Sequence, residues 1–183
     1  SNLIYTIWNC KKNFIMLTIP FYNYKVNNWK EKKEQLLDFV STLSFKLNDE
    51  ITDLYTTYGD DTSSIPFKIL EDDILKFTTE AEYSGEMNAE IWFQKYYENQ
   101  FHTPHTHGTI GYSSVLYINF DKKIHKGTRF LAPFNDPDGK HIEFTPDVDE
   151  GSFIFFPSYL YHYTLPHKSD TIRIIMSMNI RKK

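Results

Sequence analysis

From Ala89 onward the chain breaks into short runs of β-branched and aromatic residues, separated by clusters of Gly, Pro, Asn and Asp. Runs of this kind, with no helical periodicity between them, predict strands near 89–97, 101–107, 112–120, 127–133, 141–145, 152–157, 160–165 and 171–180. Seven or eight short strands in about ninety residues, without helical patterns between them, suggest a sandwich or jelly roll.

Upstream, the pattern changes. The segment from Met16 to Val26 reads as a short strand. Asn27 or Asn28 is placed to cap a helix whose apolar positions Leu36, Leu37, Phe39, Val40, Leu43 and Leu47 follow helical spacing as far as Asn48 or Asp49. The stretch Leu54 to Tyr58 fits more than one assignment, and Gly59 to Ser64 is a turn-rich loop. A second helix is expected from about Pro66 to Ala81, with Ile69, Ile74, Leu75 and Phe77 inward. The reading is one mainly β domain with N-terminal helices (α+β) over residues 1–183. Residues 1–15 form an irregular extension, 16–88 a supporting strand and helices, and 89–183 a β-core with those helices packed on one outer face.

Composition narrows the function classes. Hydrophobic residues make up 40% and charged residues 24%, so the chain can enclose a core and is not of the disordered type. A net charge of −4 offers no general attraction for a phosphate backbone, which disfavours nucleic acid as a partner. Cys10 is the single cysteine, so no internal disulfide is available. No apolar run approaches the roughly 18 residues of a spanning helix. The run Leu3 to Trp8 is too short for a secretory signal core, and a cytoplasmic location is expected.

The chemistry-bearing residues gather in the β region. His105-Thr106-His107 puts two imidazoles at i and i+2, which face the same side of a strand. His162 follows the run Phe156-Pro157-Ser158-Tyr159-Leu160-Tyr161, where a partner strand would begin. Three imidazoles converging from two strands would bind a divalent ion such as iron(II) and leave its opposite side open. His102 has the opposite parity to His105 and His107, so it faces away unless Pro104 interrupts the alternation. Arg173, one of only three arginines, lies eleven residues beyond His162, and its planar fork suits a carboxylate. An ion pair with nearby Asp170 is the alternative for it. Trp92, Tyr96 and Tyr97 precede the histidine strand and are placed to line a pocket or to fill a core. Tyr159, Tyr161 and Tyr163 alternate as one strand face, either at a pocket rim or in solvent.

Residues from about Ile91 to Ile180 resemble the iron(II)/2-oxoglutarate-dependent dioxygenase superfamily. Within it they are most similar to the oxygenases found in phage and marine bacterial genomes. The matching blocks are Trp92-Phe93, His105-Thr106-His107, Ser113 to Ile118, Phe156 to His162 and Arg173 to Asn179. Met16 to Val26 and the following helix also look similar, so most of the chain is covered. The resemblance implies a double-stranded β-helix (jelly roll, cupin-like) with Fe(II) held by His105, His107 and His162. It implies that Arg173 anchors the far carboxylate of 2-oxoglutarate, with Tyr117 and Ser177 as helpers. The reaction implied is hydroxylation of an unidentified substrate by O2, with 2-oxoglutarate converted to succinate and CO2.

One departure stands out. Most of the superfamily has Asp or Glu where this chain has His107, though the group it most resembles often shows histidine there. Asp136 and Asp138 are the nearest candidate carboxylates, but Asn135 to Gly139 reads as a turn. Two alternatives follow. One is a three-histidine dioxygenase of the cupin type that needs no 2-oxoglutarate. The other is a non-catalytic or virion-associated binding module on the same fold.

Overall fold

The computed structural model describes residues 19–183, so the predicted extension 1–15 and the first residues of the opening strand lie outside the described residues. The elements run β1 (Tyr22–Lys25), α1 (Trp29–Ser41), β2 (Lys46–Asn48), β3 (Leu54–Thr56), α2 (Ser64–Ile69), α3 (Glu71–Glu80) and β4 (Met87–Tyr96). They continue with β5 (His102–His105), β6 (Tyr112–Asn119), β7 (Arg129–Asn135), β8 (His141–Phe144), β9 (Ser152–Pro157), β10 (His162–Thr164) and β11 (Arg173–Lys182). All eight strands expected after residue 88 are present, each within two residues at either end.

These strands form two antiparallel sheets. The larger has the order β1-β9-β6-β11-β4-β3-β2, and the smaller β5-β10-β7-β8. Together they make the jelly-roll architecture of a double-stranded β-helix. The central strands β6 and β9 are buried along almost their whole length because the large sheet is covered on both faces. Period-two alternation then sorts each strand. Leu116, Ile118, Phe153, Phe155, Met176 and Met178 pack with Leu36, Val40 and Phe77 of the helices, where Phe77 and Phe155 stack at 4.0 Å. Val115, Tyr117, Ile154, Phe156 and Ile175 face Phe130 of the small sheet. Burying each such side chain contributes about 1.5–3 kcal/mol.

The helical half differs from expectation in three places. α1 stops at Ser41 rather than near Asn48, and residues 46–48 form edge strand β2. The Ser41 and Thr42 hydroxyls donate to the carbonyls of Asp38 and Phe39, satisfying the helix end locally. The second helix is broken at Leu70, which is fully buried, and Glu71, Asp72 and Asp73 open α3 where acidic side chains favour the helix dipole. Leu75, expected inward, is 62% exposed. Among the described residues no helix is long and apolar enough to cross a membrane.

Candidate metal centre and its cleft

The small sheet builds the site through register. In β10–β5 pairing His162 stands opposite His105, and Thr164 stands opposite His102. The single residue Tyr163 on β10 is thus matched by two on β5, a bulge at Thr103-Pro104 where proline has no N–H for the ladder. The cross-strand pairing sets the His105 and His162 rings side by side, centroids 4.3 Å apart. His107 lies past the end of β5. Its N–H donates to the Ser158 carbonyl, which turns the chain so that its ring also joins the group, 5.0 Å from both others. Strand alternation therefore explains His105 but not His107.

One candidate ligand nitrogen from each of His105, His107 and His162 lies within 4.8 Å of the other two. His105 Nδ1–H donates to the Thr103 carbonyl at 2.7 Å, and His162 Nδ1–H donates to the Leu160 carbonyl at 2.9 Å. Those bonds fix the tautomer and leave each Nε2 lone pair free. The Nε2 atoms of His107 and His162 are 3.2 Å apart. Two ligands of one ion at about 2.1 Å sit at roughly that separation. Burial lowers the pKa of His105, lowers that of His107 to about 3 and holds that of His162 well below 6.5. Three neutral imidazoles with converging lone pairs fit a divalent metal. Asp136 does not join them, because its carboxylate accepts the N–H groups of Asp138 and Lys140 in the β7–β8 turn.

The triad opens into a narrow cleft walled also by Trp92, Gln94, Tyr96, Thr128, Thr164 and Ser177. A second, wider groove adjoins it and shares Trp92, Gln94, His102, His105 and His107 as its inner wall. Its outer parts are Asn48, Leu54, Thr56, Tyr58 and Thr106. For His102 the exception named from the sequence holds, an alternation interrupted at Pro104. The Pro104 bulge shifts the alternation, so His102 stacks on His105 at 3.9 Å and lines both cavities.

Arg173 opens β11 opposite Tyr96 and has no solvent exposure, so it is not the surface partner of Asp170. Its guanidinium lies 4.1 Å from the centre of the Tyr96 ring, and its Nη1–H donates to the Lys126 carbonyl at 2.8 Å. Its Nε and Nη2 are buried with no hydrogen-bond partner, and among the described residues no carboxylate pairs with it. A buried cation with two unmet nitrogens is costly unless an anion completes it.

Tyr117 is also fully buried, yet Thr128 stands between it and the cleft. The Tyr117 hydroxyl donates to Thr128 Oγ1 and accepts the Thr128 N–H, both at 3.0 Å. Its single proton is thereby engaged, and Thr128 is the hydroxyl that lines the cleft. Ser177 lines it too, with its hydroxyl donating to Gln94 Oε1 at 2.9 Å. Thr128 and Gln94 were not singled out by sequence, since only long-range pairing brings them in. Trp92 and Tyr96 line the cleft, while Tyr97 does not. Tyr159 and Tyr161 are exposed, and Tyr163 donates to Glu143 away from the cleft.

The fold and site define a jelly-roll protein with three histidines able to hold a metal and a buried arginine behind Tyr96 of the cleft wall. Residues 90–179 match the family described as "Putative 2OG-Fe(II) oxygenase". That segment holds the whole triad and Arg173, and it places the chain in the 2OG-Fe(II) oxygenase superfamily, whose metal is iron(II) and whose co-substrate is 2-oxoglutarate. No curated protein sequence matches the chain. Solved structures with the same fold include a prolyl-4-hydroxylase from Pseudomonas putida, at 15% identity over 91% of this chain and 94% of that one, TM-score 0.68. The viral collagen prolyl hydroxylase of Paramecium bursaria Chlorella virus-1, solved with 2-oxoglutarate, is 16% identical over 89% and 96%, TM-score 0.63. HygX from Streptomyces hygroscopicus, solved with nickel and 2-oxoglutarate, is 10% identical over 90% and 84%, TM-score 0.65.

Proposed function

We propose that this protein is an iron(II)/2-oxoglutarate dioxygenase that hydroxylates a substrate admitted through the groove beside the triad. The overall change is substrate C–H, O2 and 2-oxoglutarate giving substrate C–OH, succinate and CO2. The observation that carries it is the buried, incompletely bonded Arg173 packed on Tyr96, a wall of the cleft into which the three neutral imidazoles converge.

His105, His107 and His162 would hold the metal. Iron bound there supplies the activation of dioxygen that the decarboxylation and hydroxylation require. Arg173 offers its free Nε and Nη2 to the far carboxylate of the co-substrate. Thr128, oriented by Tyr117, adds a hydroxyl donor from the cleft wall, and Ser177 lines the same cleft. With histidine in place of a carboxylate, the metal keeps its full double charge, which favours an anionic chelating co-substrate. The cleft walls exclude bulk water, and the groove admits the substrate on the side of Trp92 and Tyr58. Because two of the similar structures are prolyl hydroxylases, a prolyl peptide is the first substrate to try.

The test is to load purified protein with Fe(II) under anaerobic conditions, add 2-oxoglutarate and air, and measure succinate. Succinate release that needs both Fe(II) and 2-oxoglutarate is expected. Absence of release and of 2-oxoglutarate binding in the loaded protein would sink the reading. The all-histidine ligand set favours one second reading, a three-histidine dioxygenase independent of 2-oxoglutarate. In that case Arg173→Ala would leave metal-dependent oxygen consumption intact.

A further inference from the structure

His102 is not part of the metal triad, yet it is held more elaborately than a wall residue needs to be. Ser177 Oγ–H donates to Gln94 Oε1 at 2.9 Å, which commits the other end of the amide. Gln94 Nε2–H then points to His102 Nδ1 at 3.3 Å, and the Tyr96 hydroxyl lies 3.5 Å from the same nitrogen. An imidazole that accepts at Nδ1 carries its proton on Nε2, so both ring plane and tautomer are set. That ring stacks on His105 with centroids 3.9 Å apart and planes 24° from parallel. Besides its ring contacts with His162 and His107, His105 is held by the bond from its Nδ1 to the Thr103 carbonyl, within the bulged segment of β5.

We propose that His102 is a positioning residue of the metal centre, and that Gln94 and Ser177 act through it. The chain Ser177–Gln94–His102 crosses from β11 through β4 to β5, and it holds the plane of His105 so that its Nε2 stays aimed at the metal. Pro104 makes this possible, since the extra residue in β5 brings His102 and His105 to the same side. The proposal rests on the metal reading given above and goes beyond it in assigning work to three residues that are not ligands. Outer-sphere groups of this kind typically change metal affinity by about 10–100-fold.

Cobalt(II) is the probe, titrated without 2-oxoglutarate and followed by calorimetry and by the visible ligand-field spectrum. The wild-type protein is expected to bind one Co(II). His102→Ala should bind it about tenfold more weakly with an altered spectrum, because the geometry at His105 relaxes. Gln94→Met and Ser177→Ala should change affinity and spectrum in the same direction to a smaller degree. Ser177→Ala added to His102→Ala should cost nothing further, since residues acting through one another are not additive. A role in general stability would not produce that pattern or move the spectrum. Near-UV circular dichroism checks folding, and the mild Ser177→Ala variant carries the test if His102→Ala does not fold. Wild-type affinity and spectrum in the folded variants would overturn the proposal while leaving the metal site standing. No Co(II) uptake by the wild-type protein would bring down the metal reading and this proposal with it.

Discussion

Thr128 shows how a binding role moves between neighbours once hydrogen bonds are counted. Tyr117 is the residue that the family resemblance points to, but its one proton goes to Thr128 Oγ1 and the Thr128 N–H comes back to it. Of this pair, the hydroxyl that the proposed site would turn to a carboxylate is therefore that of Thr128. Thr128→Val keeps the volume and removes the hydroxyl. It should weaken 2-oxoglutarate binding by about tenfold or more, the worth of one hydrogen bond to a charged group at about 1.5–3 kcal/mol. Co(II) affinity should be unchanged, and calorimetry on the metal-loaded variant checks both. His162→Ala is expected to abolish metal binding, measured by metal analysis after dialysis, because it removes the ligand that both others face.

At the level of elements, close turns fix where the strands start. Gly151 precedes β9 with a positive φ of 77°, and a Cβ there would come within 2.8 Å of the Trp29 ring. Gly151→Ala should destabilise the protein by about 1–3 kcal/mol, read as a lowered denaturant midpoint, since both the conformation and the space are wrong for a side chain. The elements also show what was legible beforehand. The β-core could be read because each strand has its own composition and turn residues, and the ordered motifs marked His105, His162 and Arg173 within it. The end of α1 could not, because Leu43 and Leu47 continue the helical spacing while the Ser41 and Thr42 hydroxyls end the helix. The side of β5 that His102 faces depends on a one-residue bulge at Pro104. Alternation rules cannot place such a bulge without the partner strand. Tyr96 beside Arg173 and Thr128 beside Tyr117 likewise follow from register between distant segments.

Taken as a molecule, the two sheets share one layer of side chains, and the helices share another with the far face of the large sheet. Unfolding is expected as one cooperative transition, with coincident circular dichroism and fluorescence curves. Acid should weaken the fold in a defined direction. His125 and His167 are buried, both donate Nε2–H to the Thr171 carbonyl, and burial lowers their pKa values from 6.5. The unfolded chain then binds more protons than the folded one, so stability is full above about pH 6.5 and falls as pH drops below it. Unfolding midpoints measured between pH 8 and pH 5 should decline below that point, and His125→Gln should reduce the slope.

The central claim, a metal-dependent site for a 2-oxo dicarboxylic acid, is tested most directly by calorimetric titration of 2-oxoglutarate into Ni(II)-loaded protein without oxygen. One equivalent should bind to the wild-type protein and none without metal, and Arg173→Met should bind at least tenfold more weakly, as expected when a charge-assisted pair is lost. Equal binding by wild type and Arg173→Met, or no binding by the loaded wild type, would contradict it.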